Sequence, residues 1–155
     1  MSHNPLDSIS LDIYDRLGMV VIDENRLFAN NTNYVQNMKE LVLQDQNHPS
    51  GIIWSFCNEK GCEGYHEAGG PSFQNITKQL DPSRPTLANM FTFNDLLSTT
   101  IDIQGFSHEP RSKLDECHTQ LPNKPILQSE CCSCNTMHNE DEGCETILDI
   151  YPVRV

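Results

Sequence analysis

An apolar run at residues 52–59, Ile-Ile-Trp-Ser-Phe-Cys-Asn-Glu, constrains the fold of this chain more than any other segment. Its β-branched and aromatic residues are typical of a strand buried on both faces, as strands are in parallel sheets. The run ends abruptly in Asn58 and Glu59. Because α/β barrels build catalytic sites from side chains at the carboxyl ends of such strands, the segment predicts a barrel-type fold with Glu59 at an open strand end.

A second segment of the same design lies at residues 126–130, Ile-Leu-Gln-Ser-Glu. Its apolar start predicts another buried strand, and Glu130 stands at the carboxyl end of that strand. Two glutamates at strand ends of one barrel suggest the paired carboxylates with which glycosidases cleave sugar linkages. Each glutamate alone is also compatible with a solvated side chain.

Helix-like and strand-like segments alternate along the chain. Such repeated strand–helix units argue for a parallel sheet with helical crossovers. We therefore expect a barrel, which the acidic strand ends favour, with a doubly wound sheet as the alternative. Thr32 is the expected N-cap of the second helix. Strands are predicted at residues 19–24, 52–59, 86–90, 101–104 and 126–130, helices at 6–17, 33–42, 73–80 and 111–117, and a short helical turn near 93–97.

Length and charge narrow the class of protein. With 155 residues, one domain is expected, and the net charge of −12 makes nucleic acid and membrane surfaces poor partners. No apolar run approaches the ~20 residues that span a bilayer, and the N-terminus lacks the features of a secretion signal. The seven cysteines are therefore expected as reduced thiols in a cytosolic setting by default, although location stays open.

The order of several motifs resembles glycoside hydrolase family 2, the β-galactosidase family. Residues 47–50, Asn-His-Pro-Ser, followed by Ile-Ile-Trp-Ser and Asn58-Glu59, resemble the acid/base segment of that family. Further likeness lies at residues 2–5, 15–26, 81–85 and 126–130, the last resembling the nucleophile strand. The resemblance implies an α/β fold, a partial (β/α)8 TIM barrel of about strands 3–7. It would occupy residues 1–143 as an incomplete catalytic domain, with an irregular tail at residues 144–155.

The resemblance also implies an activity and roles for four residues. Glu59 would be the general acid/base, Glu130 the nucleophile, Asn58 a partner of the sugar 2-hydroxyl, and His3 part of the sugar subsite. The implied activity is retaining hydrolysis of terminal β-galactosides in carbohydrate metabolism. Such a reaction needs two carboxyl groups about 5–5.5 Å apart. β-Glucuronidases and β-mannosidases share the paired glutamates, so the family is better defined than the sugar.

Departures from the family leave other hypotheses open. Residues 27–30 lack the glutamate and histidine of the bacterial magnesium site, so no metal or cofactor is expected. The family's tyrosine near the sixth strand is replaced around Ser107–His108. The missing strands suggest a truncated, inactive fragment that needs a complementing chain or a homo-oligomer. A zinc-binding module is the third hypothesis, and it rests on a late cluster of cysteine and histidine: Cys131, Cys132, Cys134, His138 and Cys144.

Two further segments could contact a sugar, but for each a structural role is the expectation. Asp23, Glu24 and Asn25 follow a predicted strand and could touch a substrate, but a solvated loop is the expectation. Trp54 could stack on a sugar, yet within an apolar strand it is expected to be core.

Overall fold

The computed structural model describes residues 3–130 as one five-stranded parallel sheet with helices between the strands. The strands follow one another in space as they do in sequence, in the order β1-β2-β3-β4-β5. A doubly wound sheet would instead reverse its strand order at a switch point, so that alternative is excluded and the partial barrel is confirmed. The strands are β1 Val21–Glu24, β2 Gly51–Asn58, β3 Thr86–Met90, β4 Ile103–Ser107 and β5 Ile126–Glu130.

The helices form where apolar spacing and caps predict them. Asp7 caps the first helix by accepting a hydrogen bond from the Ser10 amide at 3.0 Å. Asn31, not Thr32 as expected, caps the second helix, because its side chain accepts from the Asn33 amide at 2.9 Å. The helices are α1 Ser8–Leu17, α2 Thr32–Asp45, α3 Gly70–Leu80, α4 Leu96–Thr100 and α5 Arg111–Gln120, and two 3-10 turns follow β2 at Glu59–Gly61 and Gly64–Gly69.

The main core joins β2 to α2 and α3. Phe73 of α3 lies edge-on to Phe28 and Phe56, with ring centroids 4.8 and 5.6 Å away. Trp54 is 1% exposed, and its indole N–H donates to Asp81 Oδ2 at 3.1 Å, which confirms it as core. In the part of the chain that the structure describes, we find no helix long and apolar enough to cross a membrane.

The fourth strand begins and ends later than predicted. Residues 101–104 were expected to be extended, but β4 spans Ile103–Ser107. The Asp102 carboxylate accepts a hydrogen bond from the Thr86 amide at 2.8 Å and pairs with Lys78 Nζ at 2.7 Å. β4 starts directly after Asp102, and its carboxyl end lies at Ser107, three residues beyond the predicted end at residue 104.

Two predictions lie outside the described residues. These are the late cysteine and histidine cluster, and the irregular tail at residues 144–155.

Candidate active site

Three strands bring polar side chains to one place at the carboxyl edge of the sheet. Glu59 follows β2 on a 3-10 turn, His108 follows β4, and Glu130 ends β5. A carboxylate oxygen of each glutamate and a ring nitrogen of His108 all lie within 4.8 Å of one another. The two glutamates that the sequence pattern singled out are thus neighbours in space.

One hydrogen bond to its side chain and a disulfide around its segment hold Glu59 in place. Ser107 Oγ, which is buried at the end of β4, donates to Glu59 Oε1 at 3.1 Å. The backbone of Glu59 is left-handed, with φ of 50°. A disulfide joins Cys57 to Cys62, and Asn58 and Glu59 lie in the short segment between them. The expectation of reduced thiols is therefore wrong for this pair.

His108 lies between the two glutamates. Its Nε2 atom is 3.4 Å from Glu130 Oε2 and 3.7 Å from Glu59 Oε1. The His108 amide donates to the Glu130 carbonyl at 2.6 Å, and its φ of 54° is also left-handed. The three side chains are about one third exposed, at 38% for His108, 32% for Glu59 and 27% for Glu130. They are therefore reachable from solvent while still being held by the protein.

The acidic residues at the end of β1 are buried, which corrects the expectation of a solvated loop. Asp23, Glu24 and Asn25 are only 1–3% exposed. Ser55 Oγ donates to Glu24 Oε2 at 3.0 Å. Burial raises the pKa of Glu24, the Ser55 hydrogen bond opposes that rise, and the charge of Glu130 adds to it. Glu24 is therefore a third carboxyl group close to the site.

Asn58 and His3 meet in a cleft beside the paired glutamates. Asn58 Nδ2 lies 3.4 Å from His3 Nδ1. Asn58 Oδ1 is buried and accepts no hydrogen bond from residues 3–130, although most buried polar atoms have a partner. The cleft has a volume of about 210 Å³, and its polar lining includes His3, Glu24, Asn25, Arg26, Tyr34, Asn58 and His66.

Sequence reasoning noted Ser107 and His108 only as the place where the family's tyrosine is replaced, and it did not predict them as parts of this cluster. Both stand at or just after the end of β4, which was predicted to end at residue 104. A correct strand end would have placed them beside the other strand-end residues, because the carboxyl ends of parallel strands share one edge.

Comparison with known proteins places this arrangement in a family. The family model described as "Glycosyl hydrolases family 2, TIM barrel domain" matches residues 29–146, more than half of the chain. The chain is 37% identical to human β-glucuronidase over 160 aligned residues, covering 83% of this chain and 24% of the human protein. It is also 37% identical to the β-galactosidase of Lactococcus lactis over 99 residues, covering 54% of this chain and 9% of that protein.

Solved structures agree with these sequence relatives. A glycosyl hydrolase family 2 member from Bacteroides cellulosilyticus superposes with a TM-score of 0.70 at 29% identity, covering 83% of this chain and 19% of that one. A β-galacturonidase from Eisenbergiella tayi, bound to galacturonate, gives 0.69 at 25% identity, covering 83% and 28%. The chain therefore spans between 9% and 28% of the length of these relatives.

Proposed function

This chain belongs to glycoside hydrolase family 2, and on that premise we propose that it carries the catalytic pair of a retaining β-glycosidase. The approach of Glu59 and Glu130 supports this proposal most directly, since their carboxylate oxygens lie within 4.8 Å. Inverting glycosidases hold their two carboxyl groups about 6.5–9.5 Å apart to admit a water, whereas retaining enzymes hold them at about 5–5.5 Å. The separation of the Glu59 and Glu130 oxygens, within 4.8 Å, is closer to the spacing of retaining enzymes than to that of inverting ones.

In the proposed mechanism the two glutamates act in turn. Glu130, as the carboxylate, attacks the anomeric carbon, while Glu59 gives its proton to the departing glycosidic oxygen. This step forms a glycosyl ester on Glu130 and leaves Glu59 ionised. Glu59 then takes a proton from water as that water attacks the anomeric carbon, which releases the sugar and restores both groups.

Asn58 and His3 are proposed to bind the sugar. The buried, unoccupied acceptor of Asn58 favours a contact with a hydroxyl group, and the family resemblance suggests the 2-hydroxyl. His3 lies next to Asn58, with its Nδ1 atom 3.4 Å from Asn58 Nδ2, and so lines the proposed subsite.

Two substrate classes follow from the relatives. The sequence resemblance favours terminal β-galactosides, and the Lactococcus lactis relative is named as a β-galactosidase. Terminal β-glucuronides are the second candidate, because the human β-glucuronidase aligns with 83% of this chain against 54% for the β-galactosidase. Parallel assays with aryl β-galactoside and aryl β-glucuronide decide between them.

Substitution of the paired glutamates tests the mechanism. We expect the purified chain to release phenol from one of the two aryl glycosides, and both Glu59→Gln and Glu130→Gln to lower kcat by at least about 1,000-fold. Glu116→Gln is the matched control, because Glu116 lies exposed on α5, and it should retain wild-type kcat.

Azide separates the two roles. With Glu130→Ala, azide in place of the missing nucleophile should attack an activated substrate and give the α-glycosyl azide. With Glu59→Ala, it should resolve the glycosyl ester and give the β-glycosyl azide. A folded chain that hydrolyses neither glycoside would contradict the proposal for this polypeptide and support a non-catalytic fragment instead.

A further inference from the structure

We propose that His108 is a positioning residue of this reaction, whose imidazole holds Glu59 and Glu130 at working distance from each other. The inference rests on the proposed function, because it assigns a role relative to the same two glutamates. The family resemblance marks the region of Ser107 and His108 only as the place where a tyrosine is replaced, and it assigns His108 no role. The positions of the His108 ring and backbone in the structure carry the assignment.

The ring contacts both carboxylates and not just one. Its Nε2 atom lies 3.4 Å from Glu130 Oε2 and 3.7 Å from Glu59 Oε1. In the proposed mechanism Glu130 is the carboxylate and Glu59 carries a proton, and an imidazole with its N–H at Nε2 is attracted to the oxygens of both groups. These separations exceed those of good hydrogen bonds, so the ring holds the two groups by weaker electrostatic attraction and by filling the space between them.

The backbone fixes where the ring can lie. His108 is left-handed, with φ of 54°, and its amide donates to the Glu130 carbonyl at 2.6 Å. Next to it, Gln128 Nε2 donates to the Glu109 carbonyl at 3.1 Å, a second link between β5 and the segment after β4. A left-handed backbone at a non-glycine residue persists only where its surroundings determine it, and such residues concentrate at functional sites.

The two glutamates should respond differently to loss of the ring. Glu59 also accepts a hydrogen bond from Ser107 Oγ at 3.1 Å, and the Cys57–Cys62 disulfide constrains its segment. Glu130 lies nearer to the His108 ring than Glu59 does. We therefore expect His108 to act mainly on the attack by Glu130, and less on proton donation by Glu59.

Three variants of the full 155-residue chain test the inference. His108→Asn suits a left-handed backbone but is too short to reach both carboxylates. His108→Gln has a longer reach than asparagine and keeps an N–H donor without the imidazole ring. His118→Asn, on α5, is the matched control.

The readout is kcat and KM on whichever aryl β-glycoside the wild-type chain hydrolyses, with a series of phenol leaving groups. We expect His108→Asn to lower kcat about 100-fold, the loss associated with misplacing a catalytic group by about an ångström. KM should change less than about threefold, since His108 is not proposed to bind the sugar. His108→Gln should recover part of the loss, and the control should match wild type.

The leaving-group series identifies the glutamate on which His108 acts. A loss in kcat/KM that is equal for good and poor leaving groups indicates the attack by Glu130. A loss that grows with poorer leaving groups indicates proton donation by Glu59. Either pattern supports the inference, because both follow from displacement of a carboxylate.

Failure of the inference can be told apart from failure of the proposed function. Turnover by wild type with unchanged kcat in both His108 variants overturns the role of His108 and leaves the glutamate pair in place. A rise in KM with unchanged kcat overturns it as well, since that pattern indicates binding. A wild-type chain without turnover overturns the proposed function and this inference together.

Discussion

Glu59 and His108 share a backbone conformation that most residues other than glycine avoid. Their φ angles are 50° and 54°, and within residues 3–130 they are two of three non-glycine residues with positive φ. The two side chains belong to different strand ends yet lie 3.7 Å apart. Strand-end pattern alone predicted Glu59 and Glu130. It could not predict His108, because the importance of that residue depends on where β4 ends.

The buried carboxyl group of Asp23, which has no role in the proposed chemistry, predicts how the stability of the chain depends on pH. It is 1% exposed on β1, and burial raises its pKa to about 7, with the charge of Asp45 adding to the rise. The folded chain therefore holds a proton that the unfolded chain releases nearer pH 4. Stability from this group is full at low pH and falls as pH rises toward 7.

We expect Asp23→Asn to remove that loss. Between pH 5 and pH 8 the wild-type free energy of unfolding should fall, while that of Asp23→Asn should fall less, so that the variant gains on wild type as pH rises. Urea denaturation at several pH values measures this, with Glu116→Gln as the exposed-carboxyl control. Parallel pH slopes for wild type and Asp23→Asn would contradict the assignment.

At the scale of elements, the sequence predicted most of the fold. Apolar periodicity placed the helices, and β-branched runs placed all five strands, because those patterns determine which face of an element can be buried. The errors lie at ends, where single side chains decide. β4 begins only after Asp102, whose carboxylate pairs with Lys78. The burial of residues 23–25 at the end of β1 was missed because their acidic and polar composition favours solvent, and only tertiary packing buries them.

Gly105 tests the packing of β3 against β4. A Cβ built on Gly105 would lie 2.4 Å from the Ala88 carbonyl oxygen and 2.6 Å from Asn89 Oδ1. We expect Gly105→Ala to destabilise the chain by about 1–3 kcal/mol, the usual cost of overpacking. Gly61→Ala is the control, since nothing lies within 4 Å of its Cβ position and its φ is not positive. Equal urea midpoints for wild type and Gly105→Ala would contradict the prediction that β3 and β4 leave no room for this methyl group.

At the scale of the whole molecule, the fold brings together two strand ends that are distant in sequence. β2 and β5 are separated in the sheet by β3 and β4, yet curvature of the sheet turns Glu59 and Glu130 toward one another. This convergence follows from barrel geometry and could be expected from the sequence. The exposure of apolar residues on α1 could not be expected from the sequence, because their helical spacing is typical of a packed face. Ile9 is 72% exposed, Ile13 48% and Leu17 68%.

Covalent trapping tests the central claim most directly. The chain is incubated with the 2-deoxy-2-fluoro-β-glycosyl fluoride of the sugar it hydrolyses, and the digested product is mapped by mass spectrometry. The proposed role of Glu130 as nucleophile predicts one fluoroglycosyl group, carried by Glu130, and no label in Glu130→Gln. A label on a different residue, or equal labelling of Glu130→Gln, would contradict it.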